Sequence, residues 1–369
     1  MNALKLDPES TLGRLNASVH VRTGEMVGRV QNSRGTGRML ILVIAFFAIF
    51  AVLKPAVFLN PINLQNIMVT APEIGLLGLA IMLAMLTGGI DLSIVSIANL
   101  SAITIATLYI KVSEQNPDLA GTLTPLFILA GVAVGVLGGL FNGFLVAKVG
   151  ITPILATLAT MQIYNGLAIV WTGGTTLAGQ PPALGAFGQS AIAGIPMLFV
   201  VFVLISIAIG IIVKRTPIGL KVQLQGANPV AARFAGIKSG QVLGSTYLLT
   251  GLLGGLAGAF FLARNPTASA DFGSSYVLLV IVIAVLGGTN PNGGFASVFG
   301  VVLATLTLQI VSSGFTAMRF SPYQYAIAQG VILIVVMVID SETWREYRSR
   351  KKRVGTTKNS QPSVKGKAS

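Results

Sequence analysis

The stretch Gly88-Gly89-Ile90-Asp91-Leu92-Ser93 sets a carboxylate between two long apolar runs. Two adjacent glycines interrupt a helix, because glycine loses more backbone entropy on folding than any other residue. A carboxylate just past the interruption accepts from backbone N–H groups two or three residues on and caps the helix that follows. An ionisable group near lipid is also costly, and such groups mark functional sites. Gly88, Gly89, Asp91 and Ser93 are therefore read as a helix break or gate, with the capping role and the gating role both open.

A second informative stretch is Gly226 to Ile237, GANPVAARFAGI. Asn228 is a good N-cap and Pro229 fits the first helical position. Ala231, Ala232 and Arg233 favour helix, and Gly236 suits a left-handed stop. The pattern predicts a helix of about two turns over 229–235, which is too short to be stable alone in water. It rests on the membrane surface or docks into another subunit.

Polar residues also occur inside apolar runs: Asn99, Asn142, Thr157, Thr160, Gln162 and Asn165. Amides and hydroxyls of this kind can bond a neutral hydroxylated solute along a path, or bond neighbouring helices. Glu73, beside Pro72, falls in the outer half of a predicted span and faces a wet mouth or pairs with a cation.

Other chemistries lack their residues. The chain has no cysteine and one histidine, His20, in a polar tail. That leaves no catalytic triad, no metal cluster and no cofactor site to predict. No G-x-x-x-x-G-K-[ST] loop is present, so the chain is not expected to hydrolyse ATP itself.

The elements that must carry these residues follow from composition. Of 369 residues, 53% are hydrophobic and only 10% charged, where a soluble domain carries about 25% charged residues. Mean hydropathy is +0.80. Lipid is the solvent for most of the chain, and its unbroken apolar runs predict helices rather than a barrel. The fold class expected is all-α and polytopic, with about ten transmembrane helices. The spans drawn are 39–59, 66–87, 92–110, 123–147, 151–171, 195–213, 242–263, 276–289, 295–315 and 323–339, the eighth short enough to be half of a broken helix. Lys54 can snorkel from the first. Residues 1–38 read as a polar N-terminal tail, 39–339 as the membrane domain and 340–369 as a basic C-terminal tail. A secretory signal is the rival reading of the first run, but no small-x-small pattern closely follows it.

Charge placement orients the spans. The two tails hold 15 of the 25 cations, and loop 214–241 carries Lys214, Arg215, Lys221, Arg233 and Lys238 with no acid. The positive-inside rule then puts both termini and this loop in the cytoplasm, with 111–122 and the uncharged 172–194 outside. Cations confined to flanks and loops in this way make a membrane-surface pattern, so no nucleic-acid partner is expected. Trp171 and Trp344 fall at span ends, where amphipathic rings prefer to sit. Residues 80–89 (AIMLAMLTGG) and 279–288 (LVIVIAVLGG) both run from an apolar helix into Gly-Gly, with Asp91 and Asn290 each two residues on. Duplicated broken helices are a transporter feature.

GGIDLS at 88–93, LFNGFLVAKVGITPILATLAT at 140–160 and GANPVAARFAGI at 226–237 resemble the membrane-spanning permease of bacterial ABC sugar importers. The likeness covers about residues 40–340 and is to the ribose/xylose/arabinose type, within a superfamily that also holds branched-chain amino-acid permeases. It implies about ten spans in the bacterial inner membrane, a second permease copy or paralogue, an ABC ATPase subunit and a periplasmic sugar-binding protein. It also implies that the ATPase is engaged through the cytoplasmic loop containing Gly226, Asn228, Pro229, Ala232, Arg233 and Gly236. The long N-terminal tail departs from the family pattern. The expected function is ATP-driven import of a sugar or related polyol by alternating access, with Asn99, Asn142, Thr157, Gln162 and Asn165 along the path. The alternative is an ion-coupled secondary transporter of a neutral solute. That class should carry ionisable residues deep in several spans, where Asp91 is nearly alone.

Overall fold

The computed structural model describes residues 36–340. The expected tails, with His20 and Trp344, lie outside the described residues except for their inner ends.

Each of the ten drawn spans coincides with a helix. They are α1 (Thr36–Leu53), α3 (Pro61–Leu86), α4 (Ile94–Ser113), α6 (Thr124–Phe144), α7 (Pro153–Thr172), α9 (Met197–Arg215), α12 (Ser239–Arg264), α13 (Tyr276–Leu286), α14 (Val298–Ala317) and α15 (Pro322–Asp340). Between them lie the short helices α2 (Pro55–Phe58), α5 (Pro117–Thr122), α8 (Pro182–Gln189), α10 (Pro217–Ala227) and α11 (Pro229–Phe234). A π-helical segment, Leu145–Val149, continues α6, and two antiparallel ribbons complete the elements: β1 (Leu177–Ala178) with β4 (Thr267–Ala268), and β2 (Ala191–Ile192) with β3 (Ile195–Pro196). Among the described residues, seven helices are long and apolar enough to cross a membrane, and α1 and α13 are shorter apolar helices. The first span ends sooner than drawn, at Leu53. Lys54 precedes Pro55 and takes an extended φ of −142°, because proline drives the residue before it out of the helical region.

The chain divides into two compact units at Arg319 and Phe320. In the first, α3, α4 and α12 form the core: 83%, 78% and 78% of their most apolar windows are buried, against 28% for α6, α7 and α9. The second contains α15.

Glycines decide the closest packing. In α6, Gly131, Gly135, Gly139 and Gly143 recur every fourth residue, so they line one face. A Cβ on Gly135 would stand 2.6 Å from the Gly251 carbonyl oxygen and from the Gly255 Cα of α12, and one on Gly139 2.8 Å from the Gly251 Cα. Between helices in lipid, such close backbone contact supplies the dispersion attraction that water-driven burial supplies elsewhere.

Helix α13 has 11 residues, about 16 Å at 1.5 Å per residue, half of a hydrocarbon core. Irregular chain over 265–275 precedes it. Asn99 of α4 donates from Nδ2 to the carbonyls of Ala270 (2.7 Å) and Phe272 (2.9 Å). Non-helical backbone among membrane helices requires bonding of this kind.

Candidate functional site

At the end of α3 the Gly88 N–H donates to the Met85 carbonyl (2.8 Å) and the Gly89 N–H to that of Ala84 (3.2 Å). This is the paired closure of a Schellman stop, and it requires a left-handed residue, here Gly88 at φ +83°. The chain then turns through Ile90 and Asp91 into α4. Asp91 accepts from the Ser93 N–H (3.1 Å) and hydroxyl (2.7 Å) at one oxygen, and from the Thr250 hydroxyl of α12 (3.1 Å) at the other. Asn142 of α6 donates to the Ser93 hydroxyl (2.7 Å). From α7, the Thr157 hydroxyl accepts from the Leu92 N–H (3.1 Å) and lies 3.1 Å from the Ile90 carbonyl. Asp91, Ser93, Asn142, Thr157 and Thr250 are all 0% exposed. A carboxylate so buried is tolerated only when both oxygens are bonded. Here hydroxyls and one N–H do this, and they draw α6, α7 and α12 onto the break.

A second stop ends α13. The Gly288 N–H donates to the Val285 carbonyl (2.9 Å) and the Thr289 N–H to that of Ala284 (3.0 Å), with Gly288 at φ +89°. Asn290 accepts from the Asn292 N–H (3.1 Å), and its own Nδ2 donates to the Gly293 carbonyl (3.0 Å). Ser297 caps α14 by accepting from the Gly300 N–H (3.1 Å). The sequence echo aligns Gly89 with Gly288; the backbone aligns Gly88 with Gly288, one residue off. Only one residue of each stop must be left-handed. Gly287 stays right-handed as the C-cap, at φ −65°, where the first break has Thr87.

A third stop closes the basic loop. Asn228 caps α11 by accepting from the Ala231 N–H (3.0 Å), and Pro229 takes the first helical position. The Gly236 N–H donates to the Arg233 carbonyl and the Ile237 N–H to that of Ala232, both at 3.0 Å, with Gly236 at φ +79°. Ala232 faces inward. Arg233 is exposed, as are Val230 (65%) and Phe234 (89%), four residues apart on one face. Beside α11 lies a groove of about 440 Å³ that includes Lys221, Gly236, Lys238 and Gln241 in its lining.

Residues 63–337 match the family model described as the permease component of the branched-chain amino acid transport system. The chain belongs to this permease family. A ribose import permease protein of Bacillus subtilis is 33% identical over 304 residues, 82% of this chain and 90% of its own length. A galactose/methyl galactoside import permease protein of Escherichia coli is 29% identical over 315 residues, 83% of this chain and 94% of its own. An autoinducer 2 import system permease protein of Salmonella paratyphi B is 30% identical over 272 residues, 72% and 79%. No solved structure matches the chain. As a member of this family it is a multi-pass protein of the inner membrane.

Within the permease, the polar residues singled out in the spans part ways. Asn142 and Thr157 converge on Asp91, whereas Asn99 holds the 265–275 segment. Gln162 lies on the exposed face of α7, and Asn165 is half-buried. Glu73 pairs with Arg264 at the end of α12. Thr250 carries no signal in its own neighbourhood of sequence, since its role comes from a partner 159 residues away. Tyr247 is likewise unmarked; it is fully buried, and a Cβ on Gly89 would stand 3.1 Å from its hydroxyl.

Proposed function

We propose that this chain is the membrane-spanning permease subunit of an ATP-driven importer for a sugar or related polyol. The observation that carries the reading is α11. Six residues do not hold a helix in water alone; this helix is capped at both ends and presents Val230 and Phe234 outward beside Arg233. An apolar i, i+4 pair left exposed outside the spans calls for a partner surface, and a separate ATPase subunit is the partner the family implies. The cation bias supports a cytoplasmic position for this loop and for both termini.

The sugar class rests on relatives named for ribose and galactose import, and on spans whose polar groups are mainly neutral. Alternating access follows if ATP binding and hydrolysis at the partner shift the populations of inward-open and outward-open states. Gln162 supports a second permease copy or paralogue against α7. An exposed amide costs several kcal/mol in hydrocarbon, and it is satisfied against a facing subunit or a wet path between the two. The uncharged segment 173–196, at the opposite end from the basic loop, is the surface offered to a periplasmic sugar-binding protein.

The test is reconstitution into vesicles with the co-purified ATPase and a panel of labelled pentoses, hexoses and polyols. Uptake should require ATP, and the isolated chain should hydrolyse none. Uptake driven by an ion gradient without the ATPase, or ATP turnover by the chain alone, overturns the reading.

A further inference from the structure

Three chain segments far apart in sequence meet backbone to backbone at the basic end of the bundle. One is the end of α3, one the end of α10, and one the loop that follows α13. The Gly294 N–H donates to the Leu86 carbonyl (3.0 Å). Gly226 is buried, two residues before the Asn228 cap of α11. A Cβ there would overlap the Leu86 carbonyl oxygen and stand 2.7 Å from the Gly294 nitrogen. A Cβ on Gly293 would stand 2.7 Å from the Gly226 carbonyl oxygen and 2.9 Å from the Gly88 nitrogen. Gly293 and Gly294 have φ of +92° and +82°, so their glycine identity is required twice, by conformation and by space.

We propose that Gly88, Gly226, Gly293 and Gly294 form a rigid junction that passes displacement of α11 to both helix breaks at once. The inference rests on the permease reading and names the residues through which its energy coupling runs. Side chains packed between two segments absorb a small shift by changing rotamer, but peptide groups in direct contact cannot. A movement of α11 runs through Asn228 and Ala227, the last residue of α10, to Gly226. There it meets the Leu86 carbonyl, which ends α3 ahead of the first break, and the Gly293–Gly294 peptides, which lead from the second break into α14. Both pairs of helices, α3 with α4 and α13 with α14, are thereby driven from one point.

The experiment uses the whole complex, purified with its ATPase and reconstituted. Gly226→Ala inserts a methyl group between two backbones that have no flexible atom to yield. Overpacking of this kind forces the backbones apart, so uptake is expected to fall about tenfold or more while ATPase recovery and ATP hydrolysis persist. Gly293→Ala, which opens the same contact from the other side, should behave alike. Gly244→Ala, where a Cβ meets nothing within 4 Å, should leave uptake unchanged. Because the chain has no cysteine, a fluorophore on Pro291→Cys reports on the second break directly. Its signal should respond to ATP in the parent and fall silent in the Gly226→Ala background while hydrolysis continues. Near-normal uptake in both junction variants, loss of the ATPase together with uptake in both, or no ATP response at position 291 in the parent would each overturn the proposal. Failure to recover any ATPase with the unsubstituted chain is a different result, and it counts against the permease reading itself.

Discussion

At the first break Gly88 takes φ +83° and at the second Gly288 takes φ +89°. In each, a side-chain oxygen then accepts from the N–H two residues on: Asp91 from Ser93, Asn290 from Asn292. The backbone is the same device used twice, and the surroundings differ. Asp91 is fully buried and bonded by two further groups, the hydroxyls of Ser93 and Thr250, while Asn290 is exposed and bonds only within its own loop. A turn of this kind thus needs only local bonds to form. What burial adds at the first break is a polar centre onto which α6, α7 and α12 are fastened.

The largest expected difference comes from Asp91→Ala. It leaves the Ser93 N–H and hydroxyl and the Thr250 hydroxyl facing no carboxylate. Orphaned buried donors cost about 1–3 kcal/mol each; the Thr250 hydroxyl keeps the Tyr247 carbonyl (2.9 Å), so the two Ser93 donors bring the expected total to about 2–6 kcal/mol, a large share of the 5–15 kcal/mol typical of a fold. Recovery of monodisperse protein and the thermal midpoint in detergent should both drop sharply; a midpoint close to the parent's would break the contrast between the breaks. Next come Gly88→Val and Gly288→Val, each forcing a β-branched residue into a left-handed position at about 1–3 kcal/mol. The two should cost alike, with faster amide exchange at Gly89 and Thr289 respectively. A neutral result at one site only would show that the two stops are not equivalent. Asp91→Asn keeps an acceptor for Ser93, and the Thr250 hydroxyl can turn to accept from the new amide. A cost of about 1 kcal/mol or less is expected, with uptake within a few-fold of the parent. Severe loss of uptake in a well-folded Asp91→Asn protein would assign the charge a gating role beyond closing the turn. Smallest is Asn290→Ala, which removes solvent-exposed turn bonds at under about 1 kcal/mol, detectable as local hydrogen exchange rather than a changed midpoint.

The parts of the site that were legible in advance are those built from near neighbours. The caps at Asn228 and the stop at Gly236 use bonds spanning three and five residues, so residue types within one turn specify them. The Asp91 turn, closed by a bond from the N–H two residues on, is of the same kind, but it precedes α4, whose N-cap is Ser93, rather than capping the helix itself. The one-residue slip between the sequence echo and the structural match shows the limit even here. A Gly-Gly pair marks the break but does not say which glycine turns left-handed; where the helical bonds end decides that.

Composition and hydropathy by themselves determined that the chain lives in lipid as about ten helices, because water-free surroundings leave a backbone no other way to satisfy itself locally. Local sequence also determined where those helices break and how α11 is capped. Only the tertiary structure decided which helices touch and what they bring together. The Arg264 partner of Glu73 lies 191 residues away, Thr250 is 159 residues from Asp91, and Asn142 is 49 from Ser93. No local pattern encodes such pairings. They follow from the simultaneous packing of the whole bundle, in which Gly135 and Gly139 admit α12 at backbone distance and Gly226 admits the loop of the second break. A glycine in sequence reads as a weak point in a helix. In the folded bundle each of these is the place where two backbones meet.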